Sequence, residues 1–493
     1  MIRPIPFEPR CAPAPDLPVA IVGGGPVGLA AAAHLLARGI EPVVFEQGDT
    51  VGAAVRDWGH VAMFSPWSFN IDAAAAAILE RNGWTRPDAA AFPTGHDIAV
   101  RYLEPLAATP EIAGRLRLGC RVTGIARTGV GKMKTAGRDS RPFEIRFADA
   151  RGGEGRLLAR AVIDASGTWL TPVPAGASGL PALGERAAAD RIRYGMPDVL
   201  GAERQRYAGK RVLVVGGGHS ATGTLIDLAA LAADAPATRI VWALRKKDVS
   251  SAFGGGDADQ LARRGALGRA LRRLTERGAY EIVAPFLIDT IARAADDSLR
   301  VSGEGEAGAV AIDADEMIVA TGLRPDLSFL GELRLDLDPA LDCPRTLAPL
   351  IDPNVHSCGT VRPHGWAELA LPEANLFIVG MKAYGRAPTF LLATGYEQIR
   401  SIAAHLAGDA AAARRVELAL PETGVCSGPG PAVEQTDAAA AGCCGGPAPA
   451  GIDACCVADA EAKADGEAGC GCGPAPEPKA RPAAKTGCCG AAV

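Results

Sequence analysis

The sequence predicts an α/β chain in which one Rossmann-like unit is interrupted by a second, followed by a Cys-rich tail. Three observations lead there. Two glycine-rich turns, Gly23-Gly24-Gly25-Pro26-Val27-Gly28 and Gly216-Gly217-Gly218-His219-Ser220-Ala221, each lie between a short apolar run and an alanine-rich stretch. Two similar segments, VIDASG at 162–167 and EMIVATG at 316–322, bracket the second turn. From residue 421 onward no Phe, Tyr or Trp remains.

Residues 18–22 (PVAIV) suit a buried parallel strand, and residues 27–38 continue as a helix closed by Gly39. Such a strand-turn-helix aims backbone N–H groups and the positive helix end at a pyrophosphate, and glycine removes the Cβ that would block close approach. A second strand, 42–45, ends in Glu46. Glu46 follows Gly28 at close to the ~20-residue spacing of an acidic side chain that accepts hydrogen bonds from ribose hydroxyls. Gly23, Gly25, Pro26, Gly28 and Glu46 are therefore the expected FAD contacts, FAD being assigned here because the unit comes first in the chain.

Residues 52–70 mix aromatics, glycine and isolated charges without periodicity, which suits a loop wrapping a planar cofactor; Arg56, Trp58 and His60 are candidates to face it. A helix is expected from Asp72 to Glu80, and strands at 116–122, 143–147 and 157–164. The chain then leaves the first unit.

The second unit runs from a strand at 211–215 through Gly216, Gly218 and Ala221 into a helix, then a strand at 239–244. This strand ends in base: Arg245, Lys246 and Lys247 occupy the region where an adenosine ribose lies, and a 2′-phosphate there requires positive charge. The expected nucleotide is NADPH, with His219 and Ser220 as contacts. Thr321 and Gly322 mark the return crossing between units. Residues 250–267, with three consecutive glycines and two aspartates, read as a mobile loop with solvated carboxylates. Near the end, 375–380 reads as a strand and 387–404 as a helix whose N-terminus could face the flavin, placing Gly380 and Thr389 beside it and Tyr384 on the approach. The expected domains are 17–170 and 326–415 for FAD, 171–325 for NADPH, and 416–493 for the tail.

A chain of 493 residues can bury two or three cores. Its net charge of -5 gives no field for nucleic acid, and no segment is long and apolar enough for a membrane span. Without an apolar leader, cytoplasmic residence is expected; a homodimer is an open expectation.

Together these pieces resemble the two-dinucleotide-binding-domain flavoproteins, particularly the flavin-containing monooxygenases, over residues 17–410. The resemblance rests on Gly23, Gly25, Gly28 and Glu46, on Gly216, Gly218, Ser220 and Ala221, and on Ala320-Thr321-Gly322. It implies an NADPH-dependent oxidoreductase that uses molecular oxygen on a soft nucleophile such as nitrogen, sulfur or a trivalent metalloid. Two positions depart from the pattern. Residues 187–210 lack Phe-x-Gly-x-x-x-His, and the Gly-Asp pair of the last flavin strand is replaced by Gly380-Met381. The disulfide-reductase branch fits less well, because no CxxC or CxxxxC pair stands near either turn and Cys11, Cys120, Cys343 and Cys358 are scattered.

Nine of the 13 cysteines fall in the tail: Cys426, Cys443-Cys444, Cys455-Cys456, Cys470-Gly471-Cys472 and Cys488-Cys489. A segment without aromatics cannot bury a core and is expected to be disordered. The paired thiols, from Cys443 to Cys489, are expected metal or metalloid ligands, since soft thiolates select Cu(I), Zn(II) or trivalent arsenic. Phe64-Ser65-Pro66-Trp67 and Tyr384-Gly385-Arg386-Ala387-Pro388-Thr389-Phe390 also resemble flavoproteins associated with arsenic-resistance systems. The expected activity is thus monooxygenase-like detoxification of a soft metal(loid), with Arg56, Trp58 and Tyr384 as substrate-cavity candidates. The alternatives are an NADPH-driven reductase of a thiolate-bound metal(loid) or disulfide, and a metal-sequestering protein on a degenerate flavin fold, which the Met381 substitution favours.

Overall fold

A computed structural model describes residues 16–254, 259, 261–354, 361–388 and 391–418. In chain order the first strands are β1 (Val19–Val22), β2 (Pro42–Phe45) and β3 (Leu116–Arg117), then β4 (Cys120–Arg127), β5 (Phe143–Asp149) and β6 (Glu154–Ala159), then β7 (Ala161–Asp164). The next group is β8 (Ile192–Tyr194), β9 (Arg211–Val215), β10 (Arg239–Ala243) and β11 (Glu281–Val283), followed by β12 (Phe286–Arg293), β13 (Leu299–Gly305), β14 (Gly308–Ala314) and β15 (Glu316–Val319). The last strand is β16 (Leu376–Ile378). Three helices matter most to the sites: α1 (Pro26–Leu36), α2 (His219–Asp234) and α3 (Leu392–Leu406).

The strands form two five-stranded sheets and two three-stranded ones. The first large sheet has order β16-β7-β1-β2-β3 and the second β11-β10-β9-β15-β8, with every pairing parallel. Antiparallel meanders, β4-β5-β6 and β12-β13-β14, accompany them. The two halves are built alike: a strand, a glycine turn, a helix, a strand, later a meander, and then a strand that pairs directly beside the first. In one half that strand is β7 beside β1, and in the other β15 beside β9. Buried on both faces, these four strands are almost wholly apolar, as parallel strands require.

The apolar cores follow the same division. Ile21, Leu29, Ile163 and Phe377 belong to one cluster, Val22, Phe45 and Ile378 to another; Leu213, Val301 and Val319 pack together elsewhere, as do Val214, Leu225 and Trp242. The chain crosses between the two halves twice, at 171–173 and 321–324. The crossings are hydrogen-bonded to each other: Val173 N donates to Gly322 O at 2.9 Å, Arg324 N to Thr171 O at 2.8 Å, and the Thr321 hydroxyl to Val173 O at 2.7 Å.

Several expected elements change in detail. The apolar run 116–122 is two strands in different sheets, parting after Arg117 at Leu118 and Gly119, and 157–164 likewise divides at Arg160 into β6 and β7. Periodicity could not show this, because each run is continuous while the chain turns from meander to parallel sheet. The expected loop 250–267 is a 3-10 turn at Ser250–Phe253 and a helix starting at Ala262; its Asp259 is not solvated but buried in an ion pair with Arg264, Nε to Oδ2 2.5 Å. The last helix begins at Leu392 rather than near 387; Thr389 lies outside the described residues. The tail cysteines, Cys11 and Cys358 also lie outside them.

A buried charge cluster ties the first meander to the return of the chain. The fully buried Glu373 accepts from Arg127 Nε at 2.7 Å, from Arg138 Nη2 at 2.7 Å and from Arg334 N at 3.0 Å. Burial disfavours its charge, but the Arg138 and Arg127 hydrogen bonds outweigh it and hold the carboxyl below the usual glutamate range. Replacing Glu373 with Ala leaves two buried guanidinium groups uncompensated and should cost about 3–5 kcal/mol in urea unfolding at pH 7. Because the folded pKa lies below the unfolded one, the cluster's contribution is complete above pH ~4.5 and is lost as pH falls through the lower folded value.

Candidate dinucleotide sites

At the first turn β1 runs into Gly23, whose φ of +104° puts it where L side chains rarely go. The reason for glycine is also spatial: a Cβ there would stand 2.6 Å from Ala165 O, on the segment that follows β7. A Cβ on Gly28 would stand 1.9 Å from Gly23 O, which lets α1 pack down on the turn. Gly25, by contrast, faces open space. It is the N-cap of α1, Pro26 fills the first helical position, and no side chain caps the helix. The unpaired N–H groups of this first helical turn are thus left for an anion.

Glu46 closes the edge of the turn. Its carboxylate accepts from Gly24 N at 2.7 Å and from Gly48 N at 2.8 Å. Burial raises its pKa, only partly offset by those backbone hydrogen bonds. Glu46 therefore organises the turn.

The second turn repeats the geometry. Gly216 has φ +131°, and a Cβ on it would lie 2.3 Å from Ala320 O, behind β15. Gly218 is open and is the N-cap of α2, again without a side-chain cap, and Ala221 is fully buried. Trp242 Nε1 donates to Gly216 O at 2.7 Å, fixing the turn from β10. His219, the first residue of α2, packs its ring 5.2 Å from that of Phe64, which comes from the first half. Burial, with Arg264 nearby, lowers the His219 pKa, so its imidazole is neutral at pH 7. Ser220 is half-buried beside it. Arg245 and Lys246 are exposed just beyond β10; Arg245 Nη1 donates to Ala177 O at 3.1 Å, and Lys247 pairs with Glu306. The Thr321 hydroxyl donates its proton to Val173 O at the crossing.

The three substrate-cavity candidates are each held by a different protein neighbour. Arg56 pairs with Glu104. Trp58 lies under Gly95, where a Cβ would stand 2.6 Å from its ring. Tyr384 is only 3% exposed, with its ring 5.7 Å from His364 and its hydroxyl pKa raised by burial. A cavity of about 500 Å³ lies along β12 and β13 between Ala177, Leu287, Thr290 and Glu304. Among the described residues no group of three or more His, Cys, Asp or Glu is placed to hold a metal. Cys120 and Cys343 are unpaired thiols, and burial pushes Cys343 up to about 12, far from a reactive thiolate.

Around Gly380 the structure shows residues that pattern reading missed. Gly380 has φ +67° and packs on Val27 at the start of α1. Its N–H donates to Gln398 Oε1 at 2.7 Å, and Gln398 Nε2 is 2.9 Å from His364 Nε2. Two residues on, Lys382 is fully buried with Nζ 2.6 Å from Asp164 Oδ2 and 2.9 Å from Ser166 Oγ. A lysine beside a conformationally special glycine was the available signal.

Residues 21–86 match a family model described as an NAD(P)-binding Rossmann-like domain. Among solved structures, the bacillithiol disulfide reductase of Bacillus cereus is similar with TM-score 0.58 and 19% identity, covering 80% of this chain and 99% of that one. The cadaverine monooxygenase DfoA of Erwinia amylovora, solved bound to FAD, has TM-score 0.56 and 13% identity over 82% and 98%. A flavin monooxygenase from Stenotrophomonas maltophilia has TM-score 0.53 and 20% identity over 80% and 98%. At these identities the likeness shows the fold, which is that of flavoproteins with two dinucleotide-binding units. Among the described residues no helix is long and apolar enough to cross a membrane. A Gly216→Ala change forces a Cβ into Ala320 O and should cost about 2 kcal/mol in denaturant unfolding, with the first turn left intact.

Proposed function

We propose that the chain is an NADPH-dependent FAD oxidoreductase of monooxygenase type that acts on a soft metal(loid). The observation that carries the two-cofactor reading is the repeated cradle: Gly23 against Ala165 with Gly25 open, and Gly216 against Ala320 with Gly218 open. Both cradles suit a pyrophosphate in contact with backbone and helix end. In this reading Gly23, Gly25, Gly28 and Glu46 hold FAD, and Gly216, Gly218, His219 and Ser220 hold NADPH, with Arg245 and Lys246 at its 2′-phosphate. The domains are then 17–170 with 326–415, and 171–325.

FAD, when bound, supplies the two-electron chemistry that links nicotinamide to oxygen. The balance is NADPH, a proton, O2 and substrate giving NADP+, water and the oxygenated substrate. The protein's share is to bind and orient. Neutral His219 adds no charge at the head of α2, while Arg245 and Lys246 supply positive charge at the far end of the nucleotide. The tail thiols collect the metal(loid), three thiolates satisfying one trivalent arsenic.

A reductase of a thiolate-bound metal(loid) or disulfide shares the fold, as the bacillithiol disulfide reductase likeness illustrates. Against it, the two described cysteines are not partners and Cys343 is buried.

The test is NADPH oxidation, oxygen uptake and peroxide release by the FAD-loaded protein with and without trivalent arsenicals. Arsenical-stimulated oxygen uptake with little peroxide and an oxygenated product is expected. Cargo-stimulated NADPH oxidation without oxygen would instead establish the reductase, and metal binding without turnover the sequestering protein. Replacing both Arg245 and Lys246 with Ala should raise KM for NADPH by about tenfold or more and leave that for NADH nearly unchanged, as loss of phosphate pairing of about 1.4 kcal/mol or more requires. Removing residues 421–493 should preserve FAD binding and NADPH oxidation while metalloid binding falls, measured by equilibrium dialysis.

A further inference from the structure

One fully buried cation lies behind the first turn without any part in the reading above. Lys382 follows β16 in the 3-10 turn Gly380–Tyr384 and is 0% exposed. Its Nζ lies 2.6 Å from Asp164 Oδ2, 2.9 Å from Ser166 Oγ and 4.4 Å from the centre of the Phe329 ring. Asp164 is also fully buried, and its other oxygen accepts from Ser166 Oγ at 2.6 Å and from Ser166 N at 3.1 Å. With its own proton given to Asp164, the Ser166 hydroxyl receives the ammonium hydrogen bond. Lys382, Ser166 and Asp164 Oδ1 are thus linked by hydrogen bonds, while Asp164 Oδ2 meets the ammonium as a close ion pair and has no hydrogen bond of its own.

What they fix is the wall of the first turn. Asp164 ends β7 and Ala165-Ser166 follow, and these are the atoms that crowd Gly23: a Cβ there would lie 2.6 Å from Ala165 O and 2.9 Å from Ser166 Cα. The wall is tied to β16 as well, since Val379 N donates to Asp164 O at 2.9 Å. Ser166 itself is exposed although its hydroxyl is engaged, so the wall faces open space on one side and a buried charge on the other. In the second half the equivalent wall, Ala320-Thr321, is held differently, by the Thr321 hydroxyl on Val173 O.

We propose that Lys382 is the positioning residue of the first dinucleotide turn: it clamps Asp164 and Ser166 against Gly23, and the affinity for the dinucleotide at Gly23–Gly28 depends on that clamp. The proposal rests on the assignment of FAD to this turn. A buried ammonium costs several kcal/mol to desolvate and is retained only where its partners repay it, so its removal acts on these partners first. The ammonium need not touch the cofactor. It acts through Ser166 and the Ala165 carbonyl.

The experiment is a fluorescence titration of FAD into flavin-free full-length protein, run in parallel on the wild type, Lys382→Met, Ser166→Ala, and Lys382→Met combined with Asp164→Asn. NADP+ affinity by calorimetry and urea unfolding of each flavin-free protein accompany it. The expected result is FAD binding weakened by about 10- to 100-fold in Lys382→Met and several-fold in Ser166→Ala, with NADP+ affinity within twofold of wild type. The double variant, which leaves no unpaired buried charge, should recover stability while FAD stays weak. Ser166→Ala keeps the test decisive if Lys382→Met does not fold.

FAD affinity within threefold of wild type in the folded variants would overturn the proposal. Full recovery of FAD affinity in the double variant, in step with stability, would reduce Lys382 to a structural charge and also overturn it. A wild type that binds NADP+ but no FAD would overturn the assignment of the turn itself, an outcome distinct from tight binding by wild type and variants alike.

Discussion

The structure depends on one steric constraint met twice: a backbone carbonyl from a neighbouring strand lies where the first glycine of each turn would carry its Cβ. Ala165 O does this to Gly23 and Ala320 O to Gly216. The constraint follows from parallel pairing, β7 directly beside β1 and β15 directly beside β9, which brings the ends of adjacent strands to the same edge. The helix then starts immediately, and its unpaired N–H groups open on that edge. Close approach, open helix end and sheet edge are therefore one arrangement.

Placing two such units in one chain requires it to cross twice between them. The crossings at 171–173 and 321–324 are bonded to each other, and the apolar clusters of the two halves remain separate. Among the described contacts between the halves, Phe64 packs on His219 and Arg263 lies 5.1 Å from the Phe92 ring.

Buried charge is the second device. Glu373 with Arg127 and Arg138, and Lys382 with Asp164, stand where separate chain segments meet, whereas Asp259 with Arg264 is a local pair. In the two long-range clusters the partners lie more than 200 residues apart in sequence. Apolar packing alone would bring those segments together with little directional preference. Hydrogen-bonded charges fix their geometry because a misplaced partner leaves a buried ion unpaired.

By itself the sequence determined both strand-turn-helix units, the parallel strands of residues 19–22, 42–45 and 211–215, and the glycine and Glu46 positions. These are set by local chemistry: buried strands read as apolar runs, and a turn that must take positive φ reads as glycine. It likewise marked the two small-residue segments at 162–167 and 316–322. Only the tertiary structure decided that each packs on its own glycine turn, that the runs 116–122 and 157–164 divide between sheets, and that Arg56, Trp58 and Tyr384 serve separate neighbours. It alone brought Lys382 to Asp164 and Glu373 to Arg138. The physical reason is range: a dihedral preference or a helix end acts over a few residues, whereas the pairing of a buried ion is settled by whichever segments the completed sheet sets side by side.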